Sequence, residues 1–157
     1  MRIVSRGSMV AFVAVMATVL PAEAAGPFQY HSVTPCRVAD TRNATGPSGG
    51  PILADQATRT FPVQGLCNIP VGAKAVSVNV TAVGPTGAGF ITLFPTGITR
   101  PVVSSLNYNQ GEPAIGNGGI VPLADQATFA QDLSVYARVS ATSGTVHMVL
   151  DVTGYFQ

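Results

Sequence analysis

Val76-Ser77-Val78-Asn79-Val80-Thr81-Ala82 is the stretch on which the fold turns. Its apolar residues occupy every second position, the period a strand needs to bury one face and wet the other. Val76, Val78, Val80 and Ala82 take one face; Ser77, Asn79 and Thr81 take the other. The pattern returns near the end of the chain, where Val146, Met148, Leu150 and Val152 oppose His147, Asp151 and Thr153. Shorter signals of the same kind lie at 58–63, 90–94, 102–108, 120–123 and 133–139. Turn-rich segments such as Gly46-Pro47-Ser48-Gly49-Gly50 and Gly84-Pro85-Thr86-Gly87 separate them. No stretch beyond residue 24 has a helical period. Many short strands with frequent turns predict an all-β, antiparallel β-sandwich, jelly-roll or Ig-like, with a closed barrel as the alternative.

The start of the chain reads as an export signal. Arg2 and Arg6 precede the apolar run 9–20, and Ala22-Glu23-Ala24 after Pro21 is a small-x-small cleavage site. The run is too short to span a bilayer comfortably. Residues 1–24 are therefore expected to be a signal peptide and 25–157 a single sandwich domain that is secreted, periplasmic or held at the cell surface, with no membrane span after cleavage. Lys plus Arg number 8 and Asp plus Glu number 7; without Arg2, Arg6 and Glu23 six of each remain. That neutrality argues against a nucleic-acid binder working through phosphate charge. Charged residues are 10% of the chain and apolar ones 46%, so low hydrophobicity with high net charge, the signature of disorder, is also excluded.

Cys36 and Cys67 are the only cysteines. In an exported chain an even count predicts one disulfide, here worth about 3–4 kcal/mol by the loop-entropy argument. His31 and His147 do not complete any familiar zinc spacing with them, so neither a metal nor a cofactor is expected. There is no Gly-x-Ser-x-Gly elbow. The sparse carboxylates Asp40, Asp55, Glu112, Asp125, Asp132 and Asp151 leave a secreted hydrolase as a third-ranked possibility.

A weak repeat is visible. Leu53-Ala54-Asp55-Gln56-Ala57-Thr58 recurs as Leu123-Ala124-Asp125-Gln126-Ala127-Thr128, and Asn79-Val80-Thr81-Ala82 has a counterpart in Asp151-Val152-Thr153-Gly154. The near-equal offsets suit an old duplication of a turn-strand-strand unit. Gly116-Asn117-Gly118-Gly119 reads as a turn. The patterns at Asn43-Ala44-Thr45 and Asn79-Val80-Thr81 fit N-glycosylation, but no glycan is assigned to them.

Thr34-Pro35-Cys36-Arg37-Val38-Ala39-Asp40-Thr41-Arg42, Cys67-Asn68-Ile69-Pro70, residues 76–83, Gly89-Phe90-Ile91-Thr92-Leu93-Phe94-Pro95, Ser105-Leu106-Asn107-Tyr108 and Asp151-Val152-Thr153-Gly154-Tyr155-Phe156 together resemble an exported all-β module of soil bacteria. The resemblance implies a unit that is often repeated or appended in larger surface proteins, with no reaction or ligand to carry over.

Three sets of residues remain as candidate binding positions. Asp40-Thr41-Arg42 is the most polar group in an apolar neighbourhood. If its strand alternates, Asp40 and Arg42 share a face near Arg37 and the Cys36 disulfide, either as an anion site or as a structural ion pair. Tyr136 faces away from Leu133, Val135, Ala137 and Val139 and is the best candidate for a sugar platform, whereas Phe61, Phe90, Phe94 and Phe129 suit the core. The neutral Thr/Asn/Gly-rich exterior lacks the charges that keep strand edges apart, and residues 26–33 form either a first strand or an addition to a neighbour's edge. The expected function is an exported structural or interaction module without catalysis, whose partners are envelope or extracellular proteins or itself. A carbohydrate-binding module is the alternative.

Overall fold

A computed structural model describes residues 27–157; the expected signal peptide lies outside the described residues. The described chain forms nine strands: β1 Tyr30–Asp40, β2 Leu53–Ala54, β3 Thr58–Phe61, β4 Ala75–Val83, β5 Gly89–Pro95, β6 Leu106–Tyr108, β7 Ala114–Pro122, β8 Leu133–Val139 and β9 Thr145–Phe156. One sheet runs β1-β9-β4-β7, with the short β2 also on β9, and the other runs β3-β8-β5-β6. All named strand pairs are antiparallel.

Apart from β2, the pairs β1–β9, β3–β8, β4–β7 and β5–β6 are those of one long hairpin with its tip between β5 and β6. Rolling that hairpin brings β9 against β4 and β8 against β5, which is the jelly-roll form of the sandwich. One contiguous buried cluster fills the space between the sheets. Val76, Val78, Val80 and Ala82 of β4 enter it, as do Val146, Met148, Leu150 and Val152 of β9 and Leu133, Val135, Ala137 and Val139 of β8. Each large side chain so buried contributes about 1.5–3 kcal/mol. Cys36 and Cys67 form a disulfide that ties β1 to the loop after β3.

The structure departs from the sequence reading in four places. Gly116–Gly119 is not a turn: it is the middle of β7, which runs beside β4 from Ala75↔Pro122 to Val83↔Ala114. Glycine carries no side chain to show alternation, so pairing with β4, not pattern, makes this segment a strand. The signal at 102–108 shrinks to β6, because Val102 and Val103 lie in an exposed loop whose Val103 carbonyl accepts from Thr92 Oγ1 at 2.6 Å. Phe61 and Phe94 are buried, but Phe90 and Phe129 are only half-buried. Arg42 is not on a strand face with Asp40, since β1 ends at Asp40 and a turn follows, closed by Asn43 N donating to Asp40 O at 3.1 Å.

The repeated hexads take different roles. Asp55 Oδ1 accepts from Val139 N at 2.7 Å and Arg138 Nη1 at 2.5 Å, whereas Asp125 Oδ1 caps its own turn by accepting from Ala127 N at 3.0 Å. The second pair of matching segments lies side by side, with Asn79 directly opposite Asp151 across β4 and β9.

Candidate functional site

The two edges of the β1-β9-β4-β7 sheet hold the features that bear on function. At the β1 edge, Arg37 donates Nε to Asp151 Oδ1 at 2.8 Å and Nη2 to Asp151 Oδ2 at 3.2 Å, and Nη1 to Asp40 Oδ2 at 3.3 Å. The turn after β1 swings Arg42 back so that Nε meets Asp40 Oδ1 at 2.8 Å and Nη2 meets Oδ2 at 2.6 Å, while Arg42 N also donates to Oδ1. Asp40 is buried, and the hydrogen bonds from the Arg42 side chain hold its carboxyl down at about 2 against the opposing cost of desolvation. The hydrogen bond to Asp151 raises Arg37. Between them, Thr41 is buried; its Oγ1 accepts from Met148 N at 2.8 Å and lies 3.1 Å from His147 Nδ1. The guanidinium groups at this corner are thus satisfied by carboxylates of the chain itself, which fixes the start of the fold to its last strand.

The same edge is interrupted in three ways. Register shifts fall between Ser32 and Cys36 and between Arg37 and Ala39, Pro35 offers no N–H, and Arg37 projects charge from the strand. These are the devices by which an edge strand resists pairing with another chain. Tyr30 Oη donates to Thr153 O at 3.3 Å, and its side chain covers Gly154, leaving no room for a Cβ there. His31 stacks on Tyr155 with centroids 4.9 Å apart.

At the opposite edge β7 pairs with β4 alone. Nine residues long, it contains no charged residue and no proline before Pro122. Gly116 has a steric reason: a Cβ there would stand 3.1 Å from Thr81 Oγ1 and 3.3 Å from Asn79 Oδ1. Gly118 and Gly119 have none, with nothing nearer than Val78 O at 3.8 Å for the first and open space for the second. Ile120 stands 64% exposed on the outer face. Asn117 Nδ2 donates to Ser105 O at 2.8 Å, tying β7 to the loop in which Val102 and Val103 are also exposed. A cleft of about 220 Å³ opens between the sheets here, lined by Ser104, Ser105 and residues 117–121. From sequence only 120–123 reads as a strand here and 116–119 as a turn; the run of eleven uncharged residues between Pro113 and Asp125 was the available signal for the whole edge.

The remaining candidates are dispersed. Tyr136 lies on β8 beneath Arg100, whose guanidinium carbon is 4.2 Å from the ring centroid, and 6.0 Å from the Phe90 ring. One aromatic face is therefore already covered by a cation. Each carboxylate among the described residues has a structural partner. Beyond Asp40, Asp55, Asp125 and Asp151, Asp132 is fully buried and accepts from Val63 N at 2.7 Å and Gln64 N at 2.9 Å. Glu112 accepts from Asn109 N. Among the described residues, no three His, Cys, Asp or Glu side chains gather in a way that suits a metal ion, and no helix is long and apolar enough to cross a membrane.

No family model matches the sequence, and no curated protein matches it. Among solved structures, the chain is similar to the coat protein of Tobacco streak virus, at 9% identity and a TM-score of 0.41 over 80% of this chain and 85% of that one. It is similar also to the coat protein dimer of the same virus, at 8% identity and a TM-score of 0.40 over 84% of this chain and 90% of that one. A likeness this distant says nothing of what the chain does.

Proposed function

We propose that the protein is a non-catalytic structural module that works outside the cytoplasm, as the soil-bacterial resemblance implies, and associates by adding a partner strand to β7. The observation that carries this reading is the uncharged, uninterrupted β7 edge. An edge strand presents a row of unpaired N–H and C=O groups, and one without charge, bulge or cover is a template for another strand. The two glycines there without a steric reason inside the fold suit close approach by a second backbone. The partner is a second copy of the chain. Antiparallel pairing centred on Gly118 sets Asn117 opposite Gly119 and Gly116 opposite Ile120, so larger side chains meet glycine, and no charge meets its own copy across the two-fold axis. The engagement of all described carboxylates in structural bonds supports the non-catalytic part.

Sedimentation velocity of the oxidised protein over a wide concentration range tests the proposal. A concentration-dependent dimer is expected, and a Gly118→Cys variant should cross-link that dimer through its own copy. A strict monomer throughout, with no cross-link from Gly118→Cys, overturns it.

A further inference from the structure

A second site lies away from both edges, in a groove of about 510 Å³ between the loop after β1 and strand β3, lined by Thr45, Pro47, Pro51, Thr58, Arg59 and Gln131 among others. Arg59 is its centre. The guanidinium donates to the Pro51 carbonyl, to Gly49 O at 3.0 Å and to Gly50 O at 3.1 Å, and it rests on the Phe61 ring with 4.8 Å to the centroid. Three bonds use part of its five donors. Arg37, Arg42 and Arg138 each meet a carboxylate, but among the described residues Arg59 meets none, and no Asp or Glu lines the groove. Burial pushes its pKa down, which marks a positive charge held in a partly dry place without an opposite one.

The groups around it are donors. Thr60 Oγ1 donates to Gln131 Oε1, which turns the carboxamide so that its Nε2 donors are left over. Neither those nor the Thr58 hydroxyl has a protein partner among the described residues. Pro47 and Pro51 add flat apolar surface. An uncompensated cation with spare hydroxyl and amide donors beside apolar rings fits a ligand with a carboxylate, several hydroxyls and a C–H face.

From this juxtaposition we infer that the groove binds an acidic saccharide of the uronic-acid class, with the sugar carboxylate on Arg59 and sugar hydroxyls on Gln131 and Thr58. The site is separate from β7 and does not depend on self-association.

The test is a titration of isotope-labelled protein with tri-galacturonate, read from the side-chain signals of Gln131 and Arg59, with the neutral galactose trisaccharide and acetate as comparators. A saturable shift at both side chains is expected with tri-galacturonate, weakening as salt is raised. Gln131→Ala should weaken binding about threefold, and Arg59→Gln about tenfold or more. Arg59 also pins its loop, so Arg59→Gln counts only if its thermal unfolding matches the parent. Gln131→Ala keeps the question open to refutation in either case. Equal binding of the neutral trisaccharide removes the role of charge and overturns the inference. So does acetate binding as tightly as the trisaccharide, no saturable shift at all, or binding that Gln131→Ala leaves intact.

Discussion

The two edges of the β1-β9-β4-β7 sheet are built to opposite plans. β1 carries two register shifts, a proline, a charged arginine and a disulfide, and its Arg37 and Asp40 side chains are bound to one another and to Asp151 and Arg42. β7 has no register shift, charge or disulfide and no proline before its last residue, and four of its nine residues are glycine or alanine, with side chains too small to guard it. Both edges belong to one sheet and one core, so the difference does not come from unequal burial of the sheet. It shows that the chain can defend an edge and does so on one side only, which is the contrast expected if β7 is reserved for a partner.

The contrast is tested most severely at the defended edge. Replacing both cysteines in Cys36→Ser/Cys67→Ser should remove about 3–4 kcal/mol and lower the melting temperature by about 10–15 °C, as the β1 edge loses its tie to the loop after β3. The same change should leave β7 free to pair at temperatures where the protein is still folded. Calorimetry of the parent and the variant measures the first effect. A drop of less than about 1 kcal/mol would mean that the Arg37, Asp40 and Asp151 network alone holds the edge.

Asp40 comes next. Asp40→Ala leaves Arg42 without its carboxylate partner and removes one of two from Arg37, and about 2 kcal/mol of stability should go with it. The same pair predicts a pH dependence of definite sign. The Asp40 carboxyl titrates at about 2 in the folded chain, below its ordinary value of 3.8. Its contribution is therefore complete above pH 3.8 and is lost as pH falls toward 2. Urea unfolding at neutral pH and across that acid range should show stability falling steeply in the parent and less steeply in Asp40→Ala. Parallel curves would place the acid sensitivity elsewhere.

What could be read from the sequence divides along the same line. Strands whose side chains alternate were plain: 76–82 and 146–152 lie within β4 and β9, and their inward residues form the core. The Cys36–Cys67 bond was legible because only two cysteines exist. Asp40 and Arg42 were recognisable as a pair, but not the turn that joins them. The link from Arg37 to Asp151 spans 114 residues and depends on β1 lying against β9, a fact of sheet order that local periodicity does not hold. β7 was misread because glycine writes no face into a sequence. Arg59 passed unnoticed because its setting is made by backbone carbonyls of the loop at 49–51, and carbonyls leave no mark on side-chain pattern.

The smallest expected effect on stability is at β7, and it is the one that separates the two plans most cleanly. A Cβ at Gly119 meets no atom within 4 Å, and the backbone there is not in the left-handed region that favours glycine. Position 119 lies opposite Val78 and opens on the cleft of about 220 Å³ between the sheets, where a lysine stem has room to run out to the rim and keep its ammonium in water, so Gly119→Lys should fold as the parent does, within about 0.5 kcal/mol. In the paired edge, however, the new ammonium would be held against a second strand in a register that also brings its own copy near, a repulsion that natural edges use as a defence. The variant should sediment as a monomer at concentrations where the parent is dimeric, with an unchanged melting temperature under dilute conditions. A dimer that survives Gly119→Lys unaltered would mean that association, if present, uses a surface other than β7. An unstable variant would mean that the open space beside Gly119 is needed by the fold itself, and the case for a reserved edge would then lose its steric support.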